Sequence, residues 1–512
     1  MGAQLSQAAD SGKQIKEWSF SYEGHNPSFE DGWSKLSREV VADKIRGLVF
    51  GNAIGDALGL TTEFMNKAEA EVYYGKDGPT AYTDTVQDYH RSRWRCGDWT
   101  DDTDQLILMI ASLRYCKGKA SPTDFAMRLL SWKQHGFSEL GDIGGMGIGL
   151  TTVRVLSSSN FLENPHQAAD DIWQASGRYL AANGAIMRTA IAGAANFNDI
   201  EKVLWQTREF CMVTHADPRC IASCAVVTTA IALMLQGEYD AHDEKEVNEL
   251  IKISSQHAEK FLQGHDTGLK DFHKYMGVKT WTALKLDDAK TLGYTYKAMG
   301  AGIFGLRTDT DFRRTITELV MEAGDADSNG AVCGALLGCK YGYSGLPKDL
   351  LEGLVHHDWL DDWVDKFLAM LGLADAKRLG GPSAASKDQP VNMKVRKEDL
   401  GDVAVVEVGM PENALSNSGD ASAGAAEGSE KSESEANCSD DAATATAVAA
   451  DVAVSADSIE ETNTIAPDAP SATGRVTADG GDGGDSDKEL GDNGCAAASN
   501  EVTSDAAMEE AV

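Results

Sequence analysis

Apolar residues recur at three- and four-residue spacing through most of the first three-quarters of the chain, the pattern of buried and amphipathic helices. Such segments cover roughly 40–60, 101–117, 122–135, 146–158, 166–194, 199–214, 218–236, 243–263, 282–306, 309–323, 328–341 and 359–372. Period-2 runs of β-branched residues are nearly absent, and the one short candidate, Val403 to Val408, lies far down the chain. The pattern predicts an all-α body, a compact orthogonal helical bundle with long loops at one end. No repeat of solenoid length is found. The apolar stretch Ile221 to Leu235 is broken by Ser223, Thr228 and Thr229. It is short beside the roughly 20 residues of a bilayer span and reads as a core helix.

Composition divides the chain. Of 512 residues, all 37 aromatics precede position 381. From Gly381 to Val512 there are 28 acidic and 7 basic residues, a net charge of −21 within the total of −34. Such a segment lacks the apolar area needed to offset ordering entropy, so 376–512 is expected to be a disordered acidic tail rich in Ala, Ser, Asp and Glu. Residues 1–37 form a polar lead whose rings, Trp18, Phe20, Tyr22, Phe29 and Trp33, are expected to pack onto a domain at 38–375. The negative charge argues against direct nucleic-acid binding, which needs a basic footprint. Nine cysteines without a CxxC pair suit a reducing compartment, and no apolar run follows Met1, so the expectation is a cytoplasmic protein. Met1-Gly2-Ala3-Gln4-Leu5-Ser6 fits the N-myristoylation pattern. One acyl chain would give only weak, reversible membrane association.

Four islands interrupt the helical pattern. In the first, Gly47, Gly51, Gly55 and Gly59 repeat on one helix face, which suits close helix packing; Asp56 and Glu63 beside them are acids in apolar surroundings. The second, Gly97 to Asp104, sets Asp98, Asp101, Asp102 and Asp104 just before an apolar helix. One cap needs one such residue; four mutually repelling carboxylates ask for a cation. The third, Glu322 to Gly330, opens a second helix with Asp325, Asp327 and Ser328. It begins like an EF-hand loop, but Leu336 stands where that loop needs its bidentate glutamate. Together, Thr100, Asp101, Asp102, Asp325, Asp327 and Ser328 offer only hard oxygen ligands, the set that selects Mg²⁺, Mn²⁺ or Ca²⁺. The fourth, Gly141 to Thr152, stacks glycines before a helix, where backbone N–H groups approach a phosphate. Asn183-Gly184-Ala-Ile-Met-Arg188 and Thr214-His215-Ala-Asp217-Pro218 complete the unusual places.

In this order the islands resemble the ADP-ribosylglycohydrolase family. The resemblance rests on GDALG at 55–59 with Glu63 and Phe64, WTDDT at 99–103, GIGLTT at 147–152, NGAIMR at 183–188, THADP at 214–218 and GDADSNGAVCGALLG at 324–338. It implies an all-α fold with two Mg²⁺ or Mn²⁺ ions in a cleft, held by Thr100, Asp101, Asp102, Asp325, Asp327 and Ser328. It implies catalytic roles for Glu63, Asp101, Asp102 and Asp325. Substrate contacts would fall on Gly145, Gly147, Gly149, Thr151, Asn183, Gly184 and His215. Many members carry an acid where Gly147 stands, and Asp142 is the candidate to replace it. The implied activity is hydrolysis at the anomeric carbon of ADP-ribose, releasing it from modified proteins or related compounds, by a protein expected to be a monomer. The alternative is a non-catalytic ADP-ribose-binding or structural relative, whose mark would be lost metal ligands; all six positions are filled.

Overall fold

Residues 29–373 are described in a computed structural model. The myristoylation pattern, the first three rings of the lead and the acidic tail lie outside them. The helices are α1 (Arg38–Gly59), α2 (Lys67–Tyr74), α3 (Asp101–Tyr115), α4 (Pro122–His135), α5 (Leu150–Leu156), α6 (Pro165–Ala175), α7 (Ile186–Thr189), α8 (Ala192–Ala195), α9 (Ile200–Cys211), α10 (Pro218–Gln236), α11 (Glu244–Glu259), α12 (Asp266–Met276), α13 (Thr295–Arg307), α14 (Phe312–Val320), α15 (Ala326–Tyr341), α16 (Lys348–Gly353) and α17 (His357–Met370). Among the described residues there is no strand, only one isolated bridge between Ala182 and Tyr294. The body is all-α.

The site depends on the pairing of α1 with α15. Ser37 caps α1 by accepting from the Val40 N–H. Along the helix, Gly47, Gly51, Gly55 and Gly59 face Gly338, Gly334, Gly330 and Ala326 of α15. A Cβ at any of these α1 glycines would overlap facing backbone, so the missing side chains let the two helices touch main chain to main chain. That contact brings the C-terminal end of α1, which carries Asp56, and Glu63 just beyond it, against the acidic start of α15. Apolar α10 is long enough to cross a membrane by composition alone, yet 89% of its apolar window is buried in the body, against α9, α11 and α13. Cys220 and Cys224 are buried thiols within it. Phe29 and Trp33 of the lead pack with Phe197.

Three expected helices are shorter than their apolar pattern. The segment 166–194 breaks after Ala175 because Gly177 and Arg178 take positive φ; residues 176–180 run as loop near the surface, and 181–185 turn into the interior before α7. The segment 282–306 becomes helix only at Thr295; Lys285 turns left-handed after a short 3₁₀ turn at Trp281–Leu284. The segment 146–158 starts as helix at Leu150, since Gly147 has φ +85°. In the other direction, α2 carries too few apolar positions for periodicity to find and is set by an Asn66–Glu69 capping box, while α12, with Leu269, Phe272, Tyr275 and Met276 on one face, is a helix that the expected segments omit.

Candidate metal centre and active site

The acids at the start of α3 do not cap it. Asp56, reaching across from α1, does. Its Oδ1 accepts from the Thr100 N–H (2.9 Å) and hydroxyl (3.0 Å), its Oδ2 from the Thr103 N–H (3.0 Å) and hydroxyl (2.6 Å). Thr100 occupies the N-cap position without a side-chain cap bond. The arrangement leaves Asp101 and Asp102 free for other work. At α15 the N-cap residue Asp325 likewise makes no cap bond; it accepts from Asn183 Nδ2 at 2.7 Å.

The two helix starts meet. Asp56, Asp102 and Asp327 each offer an oxygen within 4.8 Å of the others, and so do Glu63, Asp325 and Asp327. Asp327 belongs to both groups, so the carboxylates outline two adjoining oxygen pockets with one shared member. The Thr100 hydroxyl lies 3.1 Å from Asp102 Oδ2 and 3.4 Å from Asp327 Oδ2. Ser328 lines the same cleft, its hydroxyl 3.8 Å from Met187 Sδ and near enough to Asp102 and Asp325 to oppose in part the upward push on both carboxyls. Burial, and then repulsion among the carboxylates, pushes Asp101, Asp102 and Asp327 well above the usual range and Asp325 upward as well. Asp102 Oδ1 is buried with no hydrogen-bond partner. Clustered carboxylates, two hydroxyls and an orphaned buried oxygen, without nitrogen or sulfur, fit hard divalent cations.

A backbone clip joins the two acid segments. The Phe64 N–H donates to Gly324 O (2.7 Å) and the Gly324 N–H to Met65 O (3.0 Å). Phe64 and Ala323 both hold positive φ, 60° and 58°. Side-chain-bearing residues rarely adopt that conformation, and strain of this kind concentrates at functional sites. Here it turns Glu63 and Asp325 toward one cleft.

Glu63, Asp101, Asp102, Gly147, Gly149, Asn183, Gly184, Asp325, Asp327 and Ser328 line that cleft, whose volume is about 50 Å³, with Thr100 bonded into the same cluster. Phe64, Thr152 and Met187, which were not expected there, line it too. Four expected substrate contacts, Thr151, Gly145, Asp142 and His215, are not among its lining residues. Thr151 is buried one helical position from Thr152; neighbours on a helix point about 100° apart, so only one of them faces the cleft. Gly145 packs on the Trp132 indole, where a Cβ would come within 2.8 Å of the ring. Asp142 accepts from the Phe137 N–H (2.9 Å) and borders an adjoining pocket with Asp98, Asp104 and His356. It therefore does not fill the place of an acid at Gly147. A side chain there would be strained, because a Cβ on Gly147 would lie 2.6 Å from Asp101 Oδ1, forcing that carboxylate to shift, at a positive φ.

His215 sits behind Gly184, buried, with Nδ1 2.7 Å from the Thr214 hydroxyl and Nε2 without a partner. Burial, and then the nearby Arg188, pushes it down to about 3, so the ring is neutral. Arg188 donates to Thr214 Oγ1 (2.7 Å) and to Gln105 Oε1, and Gln105 in turn donates to Asp101 Oδ2 (2.6 Å). One buried guanidinium thus braces both Asp101 and His215. Sequence reasoning missed Gln105, the cap made by Asp56, and His90, whose Nε2 lies 2.6 Å from Glu63 Oε2. His90 stands in a polar loop with no pattern to mark it; Arg188 at least ends a motif already singled out.

The sequence model describing ADP-ribosylglycohydrolases matches residues 37–377, a stretch that includes every residue of the cleft. The chain belongs to the ADP-ribosylglycohydrolase family. It is 28% identical over 349 residues to an ADP-ribosyl-[dinitrogen reductase] glycohydrolase of Rhodospirillum rubrum, covering 65% of this chain and 98% of that one. It is 26% identical over 329 residues to the ADP-ribosylarginine hydrolase Tri1 of Serratia proteamaculans, covering 64% and 80%. An uncharacterized protein of Archaeoglobus fulgidus is 27% identical over 332 residues, covering 63% and 95%. Within this family frame the glycine pairing of α1 and α15 is what sets the acids of the cleft against one another.

Proposed function

We infer that this family member removes ADP-ribose from arginine side chains of modified proteins, with two divalent cations, Mg²⁺ or Mn²⁺, in the cleft. The observation that carries the reading is Asp327, shared between two groups of carboxylates. The arginine linkage is favoured by the names of the Serratia and Rhodospirillum relatives. Thr100, Asp101, Asp102, Asp325, Asp327 and Ser328 would hold the ions. When bound, they supply the positive charge that offsets the buried carboxylates and that polarises sugar oxygens.

The chain's own groups account for the rest. Hydrolysis at the anomeric carbon passes through an oxocarbenium-like state, which a ring of carboxylates stabilises by charge. Glu63, at the cleft wall, accepts a proton from the attacking water. The new bond joins the water oxygen to the anomeric carbon, the carbon–nitrogen bond breaks, and the departing guanidine takes up a proton. Gly147 and Gly149 leave room for the substrate to approach main chain, and neutral His215 offers its unpartnered Nε2 beside Gly184 as a donor to a substrate oxygen. Asn183 fixes Asp325. Incubating the protein with a panel of Arg- and Ser-linked ADP-ribosyl substrates tests the assignment. Release from the arginine linkage is expected; release from none of them would refute hydrolysis, and release from serine alone would refute the linkage.

A further inference from the structure

Glu63 is held by more than the cleft. His90 Nε2 lies 2.6 Å from its Oε2, and Arg93 Nη2 lies 2.6 Å from His90 Nδ1. A guanidinium only donates. Nδ1 is therefore the acceptor, Nε2 carries the ring hydrogen, and the imidazole donates to the Glu63 carboxylate. The ring cannot easily turn away: its centroid is 5.0 Å from Phe64 and 5.3 Å from Trp94, and the Arg93 guanidinium lies 4.5 Å over the Trp94 ring while its Nε donates to the His90 carbonyl at 3.0 Å. Arg91, two positions before Arg93, ties down the backbone beneath Glu63 through the Glu63 carbonyl and, at 2.8 Å, the Thr61 carbonyl.

We propose that His90, its tautomer fixed by Arg93, is the positioning residue for the Glu63 carboxylate. The relay holds one carboxylate oxygen and so aims the other edge of the group at Asp325 and Asp327. Its effect on turnover rests on the hydrolase reading above; its effect on cation affinity does not.

Two substitutions in the full chain separate hydrogen bonding from packing. H90F keeps a ring between Phe64 and Trp94 but has no donor. H90Q keeps an N–H donor on a shorter, unringed side chain. Loss of a group that orients a metal-site residue typically costs 10- to 100-fold, so H90F is expected to lower kcat for ADP-ribosylarginine about tenfold or more, with KM within about twofold, and to weaken Mn²⁺ binding by calorimetry about tenfold. H90Q should recover both. Added to E63Q, H90F should cost nothing further, because the group it positions is already altered. The proposal is overturned if H90F keeps both kcat and Mn²⁺ affinity, if H90Q is as impaired as H90F, or if the E63Q and H90F losses multiply. Should H90F not fold, H90N, too short to reach Glu63, carries the same expectations. A wild-type chain that binds Mn²⁺ but releases no ADP-ribose would refute the hydrolase reading and leave the Mn²⁺ comparison to decide the relay.

Discussion

Asp102 carries the site's electrostatics in one side chain: buried, pushed far above its ordinary range, with Oδ1 facing no donor and Oδ2 near Thr100. A carboxylate in that position is stable only beside a cation. Asp102→Asn and Asp325→Asn remove ligand charge with little change of shape. Since partners one step removed from a metal cost 10- to 100-fold, either change should lower ADP-ribose release by about 100-fold or more while circular dichroism stays at wild-type helicity. Loss of helicity in parallel would mean that the acids hold the fold instead. The sequence made these acids legible because acids crowded at a helix start exceed what capping needs. It could not show that Asp56 does the capping, or that Arg188 and His90 take part in bracing the acids, because those bonds join segments far apart in the chain; Gln105 lies one turn from Asp101 in α3 but reads only as part of an apolar helix. Asp142, Gly145 and Thr151 lie outside the acid-lined cleft, which the sequence could not show for the complementary reason: a glycine-rich loop has no period from which to tell which of its residues turn inward.

At the scale of elements, one helix pair decides where the acids stand. The four-residue glycine repeat in α1 predicted close packing, and the matching glycines of α15 supply the other half. Gly334→Ala would push a methyl group into the carbonyl of Gly51, and overpacking of this kind costs about 1–3 kcal/mol. Chemical denaturation should show that loss, together with weakened cation binding, because α1 and α15 deliver acids to the same cluster. A same-size change on an exposed face, such as Ala175→Ser at the end of α6, should move neither. Helix existence was readable from apolar spacing across most of the body. The breaks at 176–185 and 285–294 were not, since Arg178 and Lys285, which composition does not single out, take the left-handed conformation, and Gly177 alone marks the first of them. The first of these breaks carries Asn183 and Gly184 into the cleft.

For the whole molecule, the net charge of −34 separates into parts with different physics. The stretch 381–512 holds −21 of it without a single aromatic residue, while the buried Asp101, Asp102 and Asp327 and the half-buried Asp325 lie within the rest. All cleft residues fall inside the family match at 37–377. A chain ending at residue 377 is therefore expected to keep wild-type kcat and thermal midpoint; loss of turnover would show that the acidic tail takes part in catalysis. The central claim, that a cluster of carboxylates works by holding divalent cations, has a more direct test. The full chain would be stripped with chelator, assayed for release of ADP-ribose from ADP-ribosylarginine, and assayed again after addition of Mg²⁺ or Mn²⁺. No release from the stripped protein and recovery on adding back either ion is the predicted result; full activity without metal would contradict it.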